Sequence, residues 1–470
     1  MTRSAPWLGT PARVVLAAFV ACVWLNQSVG GKDWERARDR VFASPAEHPV
    51  QAARYPFVFL YRRSLDERYY YETAGAILGE PADTAVVRQM HGKMPEGWVE
   101  TFPAADGRWH APYSEVPLEY PPFDLPFFVG PRALVATFAA YGYLFGGLMG
   151  LCMLGAIAAA IAAAKKGGAD DADIAHKWLL ASGLLLAQGA LAIQRLDPIA
   201  ALFLGIAMLA AAGRRPFALG LALGLAGAAK ILPLLVLPAV VAADWRAYRD
   251  RRARARLGAG LAVALVVGLG PLLLSARATI AMLHYHAARG LNVEATLGIA
   301  LGIARALVGR SEPAPASFGS QNLEGPLADL LARLGLPLLV GCTAWLVFRL
   351  AQQPTTDQEL PKDRLTRIAA SAIAATAIVW LTSKVLSPQY LTWGIPLVLA
   401  VPGRAGTRLA WTAILAMAVT QLYTRGFYDL VVAQAPIALL TLAVRQALLF
   451  AMLAMAVRAA TRSTPSDPAR

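Results

Sequence analysis

Residues 220–233 read Gly-Leu-Ala-Leu-Gly-Leu-Ala-Gly-Ala-Ala-Lys-Ile-Leu-Pro, an apolar run that is interrupted by Lys230 and Pro233. Arginine clusters flank this run, at Arg214-Arg215 and again from Arg246 to Arg256. Arginine-rich loops are typical of the cytoplasmic side of a membrane, so the stretch between the clusters must cross an even number of times, or dip into the membrane and return. Two short helices that meet near Lys230 satisfy this requirement. The break predicts a polytopic membrane fold with Lys230 inside the membrane. This lysine either faces a partner or a cavity, or has a purely structural role.

The composition extends this interpretation to the whole chain. Of its 470 residues, 57% are hydrophobic and 16% are charged, and the mean hydropathy is +0.48. The formal net charge of +14 is better explained by arginine-rich loops on one side of a membrane than by nucleic-acid binding. Cys22, Cys152 and Cys342 lie within apolar runs, which favours small core residues over disulfide partners or metal ligands. The sequence therefore predicts a membrane protein, and no motif in it supports a metal site.

Apolar runs alternate with charged loops along the chain, which predicts about twelve crossings with both termini in the cytoplasm. The predicted crossings are Val14–Ser28, Ala133–Ala164, His176–Ile193, a helix ending at Gly213, two half-helices around Lys230, Leu257–Ser275, Asp329–Leu350, Ile368–Val385, a return to Gly403, Leu409–Tyr423 and Val431–Val457. Residues 1–460 form one integral membrane domain, followed by a flexible cytoplasmic tail at 461–470. Two polar excursions, residues 31–130 and 276–328, lie on the opposite face, and the second carries an interfacial helix.

The first excursion contains the sequence Ser64-Leu-Asp-Glu-Arg-Tyr-Tyr-Tyr71, a carboxylate followed by a tyrosine cluster. Aromatic faces pack on sugar rings, and a carboxylate can take a proton from a hydroxyl. Asp66 is therefore a candidate general base. A surface ion pair with Arg62, Arg63 or Arg68 accounts for the same residue equally simply.

Further polar and aromatic residues fall on the same predicted face as Asp66. They are Tyr70, Glu119, Tyr120, Arg195, Lys230, His284, His286, Arg289, Glu294, Lys384, Gln389 and Tyr390. Basic groups opposite the arginine-rich loops run against the usual bias, and a bound lipid phosphate would account for them. The prolines of Pro121-Pro122 and Ser387-Pro388 are also explained as rigid turns or helix starts.

Four motifs of this set resemble, in the same order, the polyprenol-phosphate-mannose-dependent glycosyltransferases of the GT-C class, glycosyltransferase family 87. The family's first external loop is similar to Asp66–Tyr71 followed by Glu119-Tyr-Pro-Pro122. Its Lys-x-x-Pro, Arg-Gly-x-x-x-Glu-Ser and Ser-Pro-Gln-Tyr-x-x-Trp elements resemble Lys230–Pro233, Arg289–Ala295 and Ser387–Trp393. The chain departs from the family at Gln194–Asp197, where Gly-Gln-x-Asn is expected, at Ala295 in place of Ser, and in the length of its first loop.

The resemblance implies an all-α GT-C fold and a hexosyltransferase that needs no cofactor. The enzyme would move a sugar, most often mannose, from a polyprenyl-phosphate donor to a lipid or glycan acceptor, with inversion. Asp66 would be the catalytic base. Donor phosphate or sugar would be bound by Lys230, His284, His286, Arg289, Glu294, Lys384, Gln389 and Tyr390. The acceptor or the sugar would be lined by Tyr70, Glu119, Tyr120 and Arg195.

The Ala- and Arg-rich composition favours a bacterial source. The expected location is then the inner membrane, with the site facing the periplasm or the exterior and acting in envelope glycolipid synthesis. A secondary transporter or lipid flippase is the main alternative, since it too would have a broken helix and polar residues at depth. It predicts an internal repeat, which the sequence does not show. A non-catalytic envelope scaffold is the third class, and it leaves Lys230 unexplained.

Overall fold

A computed structural model of the protein describes residues 65–86, 102–274, 276–353 and 359–462, and single positions between Ala12 and Ala21. Ser64, Arg62, Arg63, Cys22, much of the predicted first helix and first loop, and the tail beyond Arg462 lie outside the described residues. The described chain is mostly helical. Its α-helices are α1 Leu65–Ile77, α2 Leu125–Leu134, α3 Phe138–Lys166, α4 Asp171–Gln188, α5 Asp197–Ala212, α6 Pro216–Ala229, α7 Val236–Ala243, α8 Arg251–Leu269, α9 Ala276–Ala288, α10 Thr296–Leu307, α11 Pro326–Ala351, α12 Pro361–Thr382, α13 Gly394–Ala400, α14 Gly403–Gly426, α15 Tyr428–Val432 and α16 Pro436–Thr461.

Short 3-10 helices extend or join these elements at Pro122–Asp124, Gly189–Ala192, Leu232–Leu235, Trp245–Tyr248, Gly270–Leu274 and Pro388–Trp393. Local sequence fixes many helix starts. Proline is the first residue of α6, α11, α12 and α16, where its missing N–H has no helical partner to lose. The Asp250 carboxylate accepts from Arg252 N and Ala253 N, both at 3.1 Å, and so caps α8.

Five helices are long and apolar enough to cross a membrane, namely Phe138–Lys166, Arg251–Leu273, Pro326–Ala351, Pro361–Thr382 and Pro436–Thr461. They differ in how much of their surface other helices cover. The most apolar stretch of α12 is 89% buried, whereas that of α11 is only 17% buried. α12 contacts α7, α11, α13 and α16. It therefore forms the centre of the bundle, and α11 presents its apolar surface at the periphery, as expected of a helix that faces lipid.

Helices α6 and α8 pack through small residues. A Cβ added at Gly220 would lie 2.0 Å from the Leu257 carbonyl oxygen, and one at Gly260 would lie 2.1 Å from that of Phe217. One turn further along α6, a Cβ added at Gly224 would lie 2.5 Å from the Ala264 Cβ. Small residues four apart on both helices allow the two backbones to approach closely, which is a common way for helices to associate in membranes.

We expect Gly260→Ala to destabilise the protein by about 1–3 kcal/mol, because backbone atoms of α6 occupy the space of the new methyl group. Gly258, on the same helix, has nothing within 4 Å of an added Cβ. Gly258→Ala is therefore the matched control and should be neutral or slightly stabilising, since alanine favours helix. Thermal unfolding of the detergent-solubilised variants measures the difference. Equal melting temperatures for the two variants would contradict the close packing.

The predicted break between two short helices is confirmed. α6 ends at Ala229, Lys230 has extended backbone with φ −148° and ψ 126°, and the chain resumes helical structure at Leu232. Two predicted helix boundaries were wrong, one near Ala133 and one in the segment Asp357–Arg367. The apolar run predicted from Ala133 is interrupted at Val135–Thr137, because Thr137 caps a new helix by accepting from Ala140 N at 3.2 Å.

The charged segment predicted as the loop Asp357–Arg367 is helical from Pro361. Arg364 is buried there. Its guanidinium donates to both carboxylate oxygens of Asp244 and to the Ala211 carbonyl oxygen. Because its charge is compensated and its donors are satisfied, the helix can extend beyond the apolar run.

The second excursion contains a small antiparallel sheet that the sequence did not predict. Its strands are β1 Leu291–Asn292, β2 Ala316–Ser317 and β3 Ser320–Leu323, in the order β1-β3-β2. Leu291 pairs with Leu323, and Ala316 with Gln321. Strands of two residues carry no alternating pattern long enough to be recognised. The short helix predicted within this excursion is present as α10, Thr296–Leu307.

Candidate functional site

The site lies where several helix junctions meet at one end of the bundle, which we call the Asp66 end. α1 begins there, the α4–α5 corner supplies Arg195 and Asp197, and the α6–α7 break supplies Lys230. The residues after α12 supply Lys384 and Tyr390. The α3–α4, α5–α6 and α7–α8 junctions lie together at the other end, where Lys166 approaches Gly213 and Arg364 bonds to both Ala211 and Asp244. Chain order scatters these residues, and the helix packing collects them.

Asp66 is in the first turn of α1 and forms an ion pair between its Oδ2 and Arg195 NH1. Both side chains are largely covered, with 16% and 15% of their surface exposed. The neighbour Arg68 pairs instead with Glu72, at 2.5 Å. The alternative explanation of Asp66 was a surface ion pair with a neighbouring arginine, and the structure instead pairs Asp66 with Arg195. This ion pair is largely buried and joins two segments that are distant in the sequence.

A layer of tyrosines follows Asp66 on α1. Tyr69 donates to Glu119 Oε2 at 2.5 Å, and the hydroxyls of Tyr70 and Tyr120 lie 3.1 Å apart. His286 Nε2 lies 3.0 Å from the Glu119 carbonyl oxygen, and because a carbonyl only accepts, this nitrogen carries the hydrogen. These bonds connect α1, the Glu119-Tyr120 loop and α9 around one polar region.

Lys230 lies at the centre of this region. Its ammonium is 4.8 Å from the centre of the Tyr120 ring, a cation–π distance. It also interacts electrostatically with Asp197, Tyr390, Asp124 and Glu119. Asp124 and Asp197 are 0% and 1% exposed. The functional expectation for Lys230 was that it faces a partner or a cavity, and its ammonium contacts the Tyr120 ring, with two buried carboxylates in its electrostatic surroundings.

Arg289 and Lys384 form a second basic group. The Lys384 ammonium donates to the Ala287 carbonyl oxygen at 2.8 Å, and the Lys384 carbonyl oxygen accepts from Asn292 N at 2.9 Å. Partial burial and the nearby Arg289 both lower the pKa of Lys384. Two adjacent cations repel each other, so an anion bound between them would be stabilised.

Glu294 belongs to a separate buried network. Arg445 NH1 donates to Glu294 Oε2 at 2.9 Å, and the hydroxyls of Tyr423 and Tyr428 donate to the two carboxylate oxygens. Burial raises the pKa of Glu294, and Arg445 and the tyrosines oppose that rise. Its carboxylate is thus committed to protein donors, although Tyr428 also interacts with Arg195. The geometry favours a supporting role for Glu294 over direct contact with substrate.

The remaining expected residues lie at the margin. His284 is exposed on α9, and Gln389 is half-buried beside Tyr390. The Tyr390 ring stacks on Trp393, with centroids 4.6 Å apart and planes at 17°. Stacked rings of this kind are suited to a sugar or prenyl contact.

Sequence reasoning missed Asp124 and Arg445. Arg445 lies within the long apolar run of α16, and a lone arginine in such a run is itself a signal of a buried partner. Asp124 carries no comparable signal, since an aspartate after prolines and before an apolar helix is typical of an ordinary helix cap.

The Asp66 end therefore combines a largely buried carboxylate, a tyrosine layer and two basic groups. Such a set can take a proton from a hydroxyl, hold a sugar and stabilise an anionic leaving group.

Comparison of the chain with family models, with curated proteins and with solved structures gave no match.

Proposed function

We propose that the protein is a membrane glycosyltransferase of the GT-C class, similar to family 87, that uses a polyprenyl-phosphate sugar donor. The observation that carries this proposal is the position of Asp66. It is held by Arg195 at the end of the bundle where Lys230, Arg289 and Lys384 also lie. A carboxylate base beside several cations fits a reaction that removes a proton from one substrate and releases a phosphate from the other.

In the proposed mechanism, Asp66 accepts the proton of the acceptor hydroxyl. That oxygen attacks the anomeric carbon on the face opposite the leaving group, and the bond from this carbon to the phosphate oxygen breaks. The bonding electrons leave with polyprenyl phosphate, so the sugar configuration inverts. Arg289 and Lys384 stabilise the departing phosphate, and the tyrosine layer contacts the sugar.

The proposed fold has about twelve crossings, counting the first predicted helix and the short helices beside the long ones. The arginine-rich end faces the cytoplasm of a bacterium, and the Asp66 end faces the periplasm or the exterior. A polyprenyl chain would lie in the bilayer along the apolar periphery, with its phosphate at headgroup depth.

We expect cysteine labelling to place the two ends on opposite sides. Arg108→Cys, at a 60% exposed position beside Gly79 in the same predicted excursion as Asp66, should react with a membrane-impermeant maleimide in intact cells. Asp171→Cys, at an 85% exposed position of the other end, should react only after permeabilisation. Both substitutions are made in a chain whose three native cysteines are replaced by alanine. Labelling of Asp171→Cys in intact cells would reverse the proposed orientation.

The activity is tested with membranes that contain or lack the protein, supplied with polyprenyl-phosphate mannose labelled in the sugar. We expect label to appear in endogenous lipid together with released polyprenyl phosphate, only when the protein is present. Release without transfer would indicate hydrolysis. If neither product appears, the proposal of a mannosyl donor is contradicted. Movement of the intact labelled lipid across the membrane of proteoliposomes would then support the flippase alternative.

A further inference from the structure

The turn between β2 and β3 carries a strained residue close to the candidate site. Ser317 pairs with Ser320, so Phe318 and Gly319 form a two-residue hairpin turn. Both have positive φ, +50° and +67°, as in type I′ turns, where Asn-Gly is a preferred pair. A phenylalanine in this left-handed region is strained, because its Cβ crowds the following carbonyl oxygen. Such strain persists only where the surrounding structure holds it, and it is found most often at functional sites.

The hairpin is fixed to the chain just after Arg289. The Asn322 side-chain amide donates to the carbonyl oxygen and to the hydroxyl of Ser317, both at 2.8 Å. β3 also pairs with β1, which begins two residues after Arg289. A Cβ added at Gly290 would lie 3.1 Å from the Asn322 Cβ, so the two segments are in close contact. These contacts hold the strained turn against the segment that carries Arg289.

Both residues of the turn contact the end of α9 and the residue that follows it. The Phe318 ring meets the Tyr285 ring edge to face, with centroids 5.8 Å apart and planes at 68°. The Gly319 carbonyl oxygen accepts from Arg289 NH2 at 3.5 Å. Tyr285 is 2% exposed, so it offers a fixed surface to the phenylalanine ring. The position of the turn therefore determines where its carbonyl oxygen meets the guanidinium.

Arg289 keeps hydrogen-bonding capacity in this arrangement. Its side chain is half-buried, and its Nε donates to no described residue. A guanidinium has five N–H donors, so one long bond to the Gly319 carbonyl oxygen leaves most of them for a ligand. The contact restricts the orientation of the guanidinium without neutralising its charge. An anion that reaches Arg289 would therefore meet a cation that is already oriented.

We propose that Phe318 is a positioning residue, and that the strained Phe318-Gly319 turn orients Arg289 for the phosphate of the lipid donor. Phe318 places the turn by packing on Tyr285, and the turn presents the Gly319 carbonyl oxygen to the guanidinium. Asparagine would form the same turn with less strain, but it has no ring to pack on Tyr285. This inference rests on the proposed function, because it concerns how that site holds a lipid phosphate.

The test uses the purified full-length protein and polyprenyl phosphate, a probe whose binding requires no sugar transfer. We expect Phe318→Asn to melt at or above the wild-type temperature, because relief of strain offsets the lost ring contact. Its affinity for polyprenyl phosphate should be about two- to ten-fold weaker, which corresponds to the energy of one aromatic pair. Phe318→Tyr keeps the ring and should retain the wild-type melting temperature and affinity.

Arg214→Asn is the matched control. Arg214 also has positive φ, +52°, but it is exposed and lies between α5 and α6 at the other end of the bundle. Its replacement should relieve similar strain and leave the affinity for polyprenyl phosphate unchanged.

A lower melting temperature of Phe318→Asn with unchanged affinity would assign Phe318 to folding alone and overturn the inference. A wild type that does not bind polyprenyl phosphate would overturn it as well. If the wild type transfers no sugar but Phe318→Asn still binds polyprenyl phosphate less tightly, the inference stands and only the proposed transferase reaction is contradicted.

Discussion

Membranes containing Asp66→Asn are expected to transfer at least about 100-fold less labelled mannose than wild-type membranes, since general bases typically contribute about 10²–10⁴-fold. Asparagine has nearly the shape of aspartate but cannot accept the proton of the acceptor hydroxyl. It also removes the ion pair with Arg195. The measurement is the initial rate of label transfer, normalised to the amount of protein in the membrane. Donor affinity, measured separately, should change little because the phosphate is bound by other residues.

Asp171→Asn is the matched control. Asp171 also occupies the first turn of a helix, but it lies at the arginine-rich end and is 85% exposed. Its replacement should leave transfer unchanged. Equal transfer by wild type and Asp66→Asn would remove Asp66 from catalysis. Glu119 would then be the next candidate base, because Glu294 is already bound by Arg445 and two tyrosines.

Arg445→Met is expected to destabilise the protein by about 3–5 kcal/mol, the range found when one partner of a buried ion pair is removed. Arg445 is fully buried and donates to the side chain and to the backbone carbonyl of Glu294. Without it, the Glu294 carboxylate remains buried with only tyrosine donors. The loss should appear as a lower melting temperature in detergent, and transfer per folded molecule should be affected less than by Asp66→Asn.

A double-mutant cycle separates the ion pair from general disruption. Glu294→Gln alone leaves the Arg445 guanidinium buried without its carboxylate, so it should also destabilise strongly. The double variant Glu294→Gln/Arg445→Met leaves no uncompensated charge and should be more stable than the sum of the two losses predicts. Glu312→Gln, at an exposed position of the same excursion, is the control and should be neutral. Additive losses in the cycle would contradict direct coupling of the two side chains.

Much of the helical order could be predicted, because its causes are local. Apolar runs near the length of a bilayer, prolines at helix starts and charges between the runs each act within a few residues. They correctly indicated the break at Lys230 and the short helix α10. The same local rules failed at Pro361, because Arg364 is buried only through its pairing with the distant Asp244.

Most of the residues around the candidate site were also recognisable from sequence, since carboxylates, cations and tyrosines are conspicuous beside apolar runs. Their partners were not. From the sequence, the candidate ion-pair partners of Asp66 were its neighbours Arg62, Arg63 and Arg68. In the structure, its partner is Arg195. Pairing depends on which helix ends meet after packing, and no local pattern encodes that.

The sequence by itself determined that this chain builds apolar helices, where they begin and break, and which side chains are too polar to face lipid without a partner. Tertiary structure alone decided how those side chains are used. Arg445 secures Glu294 inside the bundle, and Arg195 holds Asp66. The physical reason is that hydropathy and backbone preference act along the chain, whereas the cost of burying a charge depends on its neighbours in space.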